Sequence, residues 1–539
     1  MKKTTYLALL LLLAQGATQC LLAQTGDTLW VRYDNRFKKN GTLLLKNVDS
    51  IQVSTSNFKC YDTSRTLGYY TQAYGTLVPT DGADMMFENP GAYLLKPYTY
   101  NATDYENSAA TTGYNFAHHL ESQHFAVFWD ARYGNDPTRI KHPNNGSIAN
   151  ANDVLAIAER CWNCYVDDLG FIVPGQSTTD NYKIQLYIPY QSEWRADAAG
   201  DNGQEPDGSW HMTGIGHFNP WAATARGGHT VAHEVGHTFQ YLVSADLGTG
   251  DHYDRGWRWG WGGGNDCGWW ESCADWQAYQ IFPERQFTDG EYFEQHLDAH
   301  HLNLLHEDWR YACCYIHDWW AMLHGRSFIG RMWRETKYGE DPIQTYIRMN
   351  NMTQQQFNDE LMQGYMRMAT WDIDGVRDRA KHRIGQHKTF LKTISAAQAT
   401  YQADVAHCIQ NYGYSIINMT LPAAGTVVKA NFTGLTDATG YRYVYKDRAG
   451  WRYAFVALQK DGTRTYGEVQ SLREGVAQLT VPQNCTHLFF VVMGAPTQHW
   501  QHPWTSGKAS SEWSQNNEQW PWKVTFEETK PKQINSASK

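Results

Sequence analysis

At 539 residues, 42% hydrophobic and 14% aromatic, the chain has the length for two or three domains and the apolar content for large cores, which excludes a disordered protein. Its net charge of −9 and the lack of a basic stripe leave no means of neutralising phosphates, so no nucleic-acid partner is expected. After the N-terminal segment no apolar run reaches the roughly eighteen residues of a membrane-spanning helix, so no transmembrane span is expected in the mature chain.

Residues 1–23 read as a secretory signal: a basic Met1-Lys2-Lys3, an apolar Leu9 to Leu13, then small residues to Ala23. A lipid anchor on Cys20 is the alternative, but Gln19 stands where a lipobox carries a small residue. From 24 to 111, short β-like runs (T-L-W-V-R-Y, T-L-L-L-K, S-I-Q-V) alternate with turn residues, giving a small N-terminal β region and a linker. A central domain spans 112–400. Strands are expected over Gln123–Asp130, Tyr182–Tyr190 and Trp210–Phe218, a helix over Ala149–Leu169, and a turn-rich loop around Asp207 and Gly208.

The next segment carries chemistry. His233, Glu234 and His237 spell H-E-V-G-H inside a helix-like run, Thr230–Val243, entered through Gly227 and Gly228. One helical turn separates the two histidines, so both imidazoles leave one face and can grip one tetrahedral zinc ion. Glu234 leaves from the flank, placed to take a proton from a metal-activated water without occupying a coordination position. A second helix-like run, about Trp269–Gln280, carries Glu271 and Asp275 one turn apart, so one carboxylate can ligate while the other orients a ligand histidine.

Other ligand schemes fit less well. A third histidine six residues after His237 is ruled out by Val243, with Gln240 standing where that scheme needs glycine. Asp251, in Gly248-Thr249-Gly250-Asp251, is a possible carboxylate ligand, but Glu271 is preferred for its helix and for Asp275. His229 and His252 read as hydrogen-bonded side chains, because three protein ligands suffice when a fourth position is open. Cys161 and Cys164 read as buried thiols or a disulfide, and Cys267 and Cys273, which bracket Glu271, could form a brace. Trp257, Trp259, Trp261, Trp269 and Trp270 crowd the insertion between the two helices; packing is preferred over an exposed sugar- or side-chain-gripping surface.

Helices are then expected through about Leu391, over Asn303–His324, Phe328–Tyr338 and Gln354–Thr370. From about Tyr412 the pattern turns to strands (Y-S-I-I-N-M, T-V-V-K-A-N-F, Y-R-Y-V-Y, Y-A-F-V-A-L, V-A-Q-L-T-V, H-L-F-F-V-V-M), giving a β-sandwich over 401–527 and a loose tail over 528–539.

The pattern His233-Glu234-x-x-His237 followed by Glu271-x-x-Ala274-Asp275 resembles the gluzincin metallopeptidases. The wording H-E-V-G-H-T-F-Q and G-W-W-E-S-C-A-D-W-Q-A resembles most a secreted bacterial zincin-like family catalogued as a domain of unknown function, and more distantly the plant basic secretory proteins. The likeness implies an α+β fold: a zincin-like metallopeptidase domain with a C-terminal β-sandwich and a small N-terminal β region. In zincins the strand before the zinc helix commonly forms the cleft rim, and His211–His217 reads either as such an edge, where an extended peptide can add itself, or as an ordinary interior strand. The expected function is that of a secreted zinc peptidase acting on extracellular proteins or glycoproteins: His233, His237 and Glu271 hold Zn2+, Asp275 supports a ligand, and Glu234 is the base. Tyr253, His252 and Tyr315 are possible oxyanion donors. The alternative is a non-catalytic glycan- or protein-binding protein whose zinc site is structural or vestigial.

Overall fold

The computed structural model describes seven strands between Thr28 and Gly91, and then residues 94–100, 103–204, 210–248, 256–257, 268–288, 290–501 and 518–535. The segment read as a secretory signal, with Cys20, as well as Asp251, His252, Tyr253, Trp259, Trp261 and Cys267, lies outside the described residues. No described helix is long and apolar enough to cross a membrane. The architecture mixes helices with several sheets, and the C-terminal part is rich in β-strands. The chain divides into two compact units, one made of residues up to Trp162 together with Val173–Ala225, the other of Asn163–Ile172 and the chain from Arg226 onward.

The first unit contains two small N-terminal sheets. One has three strands, β1 (Thr28–Val31), β2 (Asn40–Leu44) and β7 (Phe87–Gly91); the other has four, β3 (Ser50–Val53), β4 (Phe58–Tyr61), β5 (Leu67–Thr71) and β6 (Thr76–Pro79). A two-residue pair, β10 (Ile140–Lys141) and β11 (Ile148–Ala149), closes a surface hairpin. The main sheet runs in the order β13 (Ala196–Gln204), β14 (Trp210–Phe218), β12 (Ile184–Ile188), β9 (Phe125–Trp129), β8 (His119–Glu121). Its three central strands are parallel, and every residue of β9 and β12 is buried, as expected of strands covered on both faces. Helix α1 (Ala151–Trp162) packs against β9.

The edge-strand reading is corrected here. Residues 211–217 lie in β14, which pairs with β13 along its whole length and with β12 at Ile215–His217, so the half of the segment nearer the helix is an interior strand and only His211–Gly214 lack a partner strand on the β12 side. The outer strand is β13, whose sequence A-D-A-A-G-D-N-G-Q has little β propensity. Full-length antiparallel pairing, from Ala196 opposite Phe218 to Gln204 opposite Trp210, makes it a strand. Gly200 fits there because a Cβ would come within 2.7 Å of the Met212 sulfur.

In the second unit Asn163–Asp168 continues α1 as a π-helical turn, and the Tyr165 hydroxyl donates to the Ala232 carbonyl. After α2 (Pro220–Thr224), which closes the first unit, come α3 (His229–Leu247) and α4 (Gly268–Ile281), both buried on nearly every side. They cross at Gly236, where a Cβ would lie 3.0 Å from the Gln277 side-chain oxygen and 3.5 Å from the Ala274 Cα. Then follow α5 (Gly290–Ala299), α6 (Tyr315–His324), α7 (Phe328–Glu335), α8 (Pro342–Met349) and α9 (Gln354–Met368). The helix expected from Asn303 begins only at Tyr315. Upstream, Asn303 bonds its side chain to the chain at Leu305 and Asn411, and the Trp309 indole donates to the Asn303 carbonyl, so residues 303–314 turn rather than coil.

The C-terminal strands form two antiparallel sheets. One is ordered β15 (Leu391–Ser395), β16 (Thr400–Ala403), β23 (Trp522–Glu527), β18 (Val427–Gly434), β21 (Glu474–Thr480); the other is ordered β17 (Tyr414–Met419), β22 (Cys485–Gly494), β19 (Trp451–Gln459), β20 (Arg464–Tyr466). Their facing side chains, among them Phe432, Val524 and Phe526 from one sheet and Tyr453, Phe455 and Phe490 from the other, share one core. β18 alternates buried and open positions, whereas β19 is buried on both faces because α9 covers its second side. Tyr365 of α9 stacks on Tyr414 at 3.9 Å between ring centroids, a contact worth about 0.5–1.5 kcal/mol beyond its buried area.

Two local expectations fail in this part. Tyr441–Tyr445 is not a strand, because side chains capture its backbone: Gln519 accepts from the Arg442 N–H, and the Glu518 carboxylate accepts from those of Val444 and Tyr445. Residues 529–535, read as tail, are held, with Pro531 bridging to Met419 and Asn535 paired with Thr389.

Candidate metal centre

The chain enters α3 through Arg226, Gly227 and Gly228, all with positive φ (52°, 67° and 99°). For Arg226 that conformation costs about 1–2 kcal/mol. Its guanidinium lies 3.8 Å over the Tyr292 ring, a cation–π contact that offsets part of this. The sharp entry sets the helix so that His233 and His237 face α4. There His233 Nε2 and His237 Nε2 lie 3.1 Å apart, and Glu271 Oε2 lies 3.0 Å from the first and 3.2 Å from the second.

The outer nitrogens show what those atoms are. His233 Nδ1 is 2.8 Å from Asp275 Oδ1, and His237 Nδ1 is 2.8 Å from Gln240 Oε1. The Gln240 amide orientation is fixed by its nitrogen, which donates to the Trp270 carbonyl and to the Gln277 side-chain oxygen. Both Nδ1 atoms therefore carry the proton in the neutral rings, and both Nε2 atoms present lone pairs. In that tautomer two lone pairs and a carboxylate oxygen converge at 3.0–3.2 Å, and positive charge among them, a proton on His233 or a bound metal cation, relieves their repulsion. The spacing suits a metal: ligands about 2.0–2.1 Å from a tetrahedral ion are separated by about 3.3 Å.

This buried group of His233, His237 and Glu271 could hold a metal ion, and it is the one such group among the described residues. Electrostatics agree with a site made for positive charge. Burial opposes ionisation of Glu271, yet the two imidazoles hold its carboxyl well below the usual range. Burial likewise works against protonated His233, but the Asp275 carboxylate, with help from Glu271 and Glu234, lifts it well above its ordinary value. His233, Glu234, His237 and Glu271 keep 5–7% of their surface exposed and Asp275 keeps 1%, so the carboxylate that supports His233 is the most deeply buried of the five. Glu234 is outside the convergent group.

Asp275 thus stands where the sequence expectation put it, one turn from Glu271 and bonded to a histidine. Asp275→Ala is expected to weaken metal affinity by about 10- to 100-fold, read by competition with a chelator. Unchanged affinity would reduce Asp275 to a structural carboxylate.

Gln240 and Tyr311 were not singled out by sequence. Gln240 sits three residues after His237 on the same helix face, the one signal available for it. Tyr311 comes from the turn-rich stretch before α6: its ring lies 6.0 Å from that of His233 and stacks at 5.0 Å on Tyr292. Burial and then the charge of Glu271 keep its hydroxyl protonated. Tyr315, by contrast, is buried, and its hydroxyl is spent on the Gln286 carbonyl, which removes it as an oxyanion donor. His229 lies against Tyr279 (4.7 Å between ring centroids), outside the ligand group.

The three described tryptophans of the insertion are core. Trp257 packs on Trp269 and Trp333, and the Trp270 indole donates to the Trp257 carbonyl. Cys161, Cys164 and Cys273 are in no disulfide; the Trp333 indole N–H points at the Cys273 sulfur at 3.3 Å.

No curated protein matches the chain. Residues 88–533 match a family described only as a family of unknown function, DUF6055, and with most of its length covered the chain belongs to that family.

Proposed function

We propose that this protein is a secreted zinc-dependent peptidase of the gluzincin type, with a zincin-like catalytic domain, acting on extracellular proteins or glycoproteins. The observation that carries the reading is the meeting of two imidazole lone pairs and the Glu271 carboxylate beside a glutamate that is not one of them. Nitrogen and carboxylate donors in a set of three suit zinc, which leaves a fourth position open at catalytic sites. Export is supported by the basic, apolar and small residues of Met1 to Ala23.

His233, His237 and Glu271 would hold the ion, with Asp275 and Gln240 fixing the two rings. When bound, zinc supplies Lewis acidity that polarises a carbonyl and brings the acidity of water towards neutrality. Glu234 takes the proton from the attacking water and passes it to the leaving amine. A structural site has no use for such a base. Tyr311, held protonated and braced by Tyr292, donates a hydrogen bond to the oxygen that gains charge.

Metal analysis of the purified protein, followed by digestion of a diverse peptide library with and without added zinc, tests the reading. Tyr311→Phe keeps the ring stack and removes the donor, so kcat/KM is expected to fall by about 10²- to 10³-fold at unchanged metal content. A variant as active as the parent would remove Tyr311 from the mechanism.

A further inference from the structure

We propose that the first unit carries a binding site for a neutral pyranose sugar, formed by Trp194, Trp221 and the cavity beside them. It shares no residue with the metal centre and stands whether or not that centre cleaves peptides. Trp194 and Trp221 are 45% and 42% exposed, and their rings meet at 5.3 Å and 87°, making a right-angled aromatic corner at the surface. A cavity of about 500 Å³ is walled by Pro143 and Asn144 on one side and by residues 190–193 on the other. Trp194 follows Glu193 directly in sequence. The Trp221 ring lies 6.1 Å from that of His142, which immediately precedes the first.

The frame is rigid. Asn219 is fully buried; its side-chain nitrogen donates to the carbonyls of Gln191 (3.3 Å) and Glu193 (2.7 Å), while its oxygen accepts from the Ala222 N–H at the start of α2. One side chain therefore locks the loop bearing Trp194 to the helix bearing Trp221. On the facing wall His142 Nδ1 accepts from the N–H groups of Asn144 and Asn145. The Tyr133 hydroxyl holds the Pro189 carbonyl at 2.9 Å, and Arg132 covers the Tyr190 ring at 4.5 Å.

Two indoles left in water on a fixed frame expose apolar surface that folding alone would cover. The ligand that fits has a flat, weakly polar C–H face for an aromatic ring and hydroxyls around its rim. Asn144 offers an amide, Gln191 its amide oxygen, the nitrogen being bonded to the Glu193 carbonyl, and Glu193 a carboxylate to such hydroxyls. An apolar peptide side chain would strip water from these groups and give nothing back. Among the described residues lining the cavity Glu193 is the one that carries charge, which favours neutral hexoses and N-acetylhexosamines over acidic sugars.

The test uses the full mature chain on an array of neutral oligosaccharides, followed by tryptophan-fluorescence titration with methyl glycosides of glucose, galactose, mannose and N-acetylglucosamine. Binding is expected to at least one of these. Trp194→Ala and Trp221→Ala should each weaken it by about tenfold or more, as loss of a central aromatic contact does. Trp210→Ala, which removes a comparably exposed indole of the same unit, should not. Thermal melting of each variant checks that it folds, and Trp221→Phe, which retains a ring, should keep part of the affinity. Glu234→Gln should bind as the parent does, so failure here and failure of the peptidase reading are told apart. The proposal is overturned if no neutral glycan binds, if binding survives the double Trp194→Ala, Trp221→Ala change, or if the two indoles instead bind phosphatidylcholine vesicles or an apolar peptide and no sugar.

Discussion

Glu234→Gln is expected to leave the metal bound and the fold intact while hydrolysis falls by at least about 10²- to 10⁴-fold, the usual cost of losing a general acid/base. The expectation follows from where the residue stands. It shares α3 with both histidines, is nearly as buried as they are, and lies outside the convergent ligand group. Glutamine preserves its size and removes its capacity to accept a proton. Metal content by mass spectrometry and turnover on the best library peptide are the two readouts. If zinc-loaded parent protein cleaves nothing in a diverse library, yet binds a glycan or protein equally well with Glu234 or Glu271 replaced, the binding-protein reading takes over.

Glu271→Gln should act differently, lowering metal occupancy and activity together. Its Oε2 is the anionic member of the group, within 3.2 Å of both imidazoles, and a neutral amide there offers a weaker donor and no compensating charge. The loss of affinity should exceed the roughly 10- to 100-fold attached to a supporting residue such as Asp275. Excess zinc should restore part of the activity of Glu271→Gln and none of that of Glu234→Gln. Were Glu271→Gln to retain full metal affinity, another carboxylate would have to be the third ligand, and Asp251 would be the first to test.

The two glutamates therefore divide a single proposal into separable parts. A ligand change is read as occupancy and a base change as turnover at full occupancy. Tyr311→Phe belongs with the second kind, and Asp275→Ala with the first.

The chain's own order of residues determined the local elements of the centre. A one-turn spacing places His233 beside His237 and Glu271 beside Asp275 on any helix, so the candidate ligands, their support and the proposed base could be named from periodicity, side-chain chemistry and the likeness to gluzincins. Short apolar or alternating runs bounded by turn residues likewise marked β17, β18, β19, β21 and β22. What depended on distant partners was not legible. β13 is a strand because β14 pairs with it along its length, and Tyr441–Tyr445 is not one because Glu518 and Gln519 occupy its backbone groups. The packing of α3 on α4 at Gly236 brings Glu271 to the histidines, and the turn-rich 303–314 stretch brings Tyr311 to their side. Gln240 takes its role only once the Trp270 carbonyl fixes its amide. Sequence fixes which atoms a segment can offer, because that is local covalent geometry; which atoms meet, and in which protonation state, is decided by close packing between segments far apart in the chain.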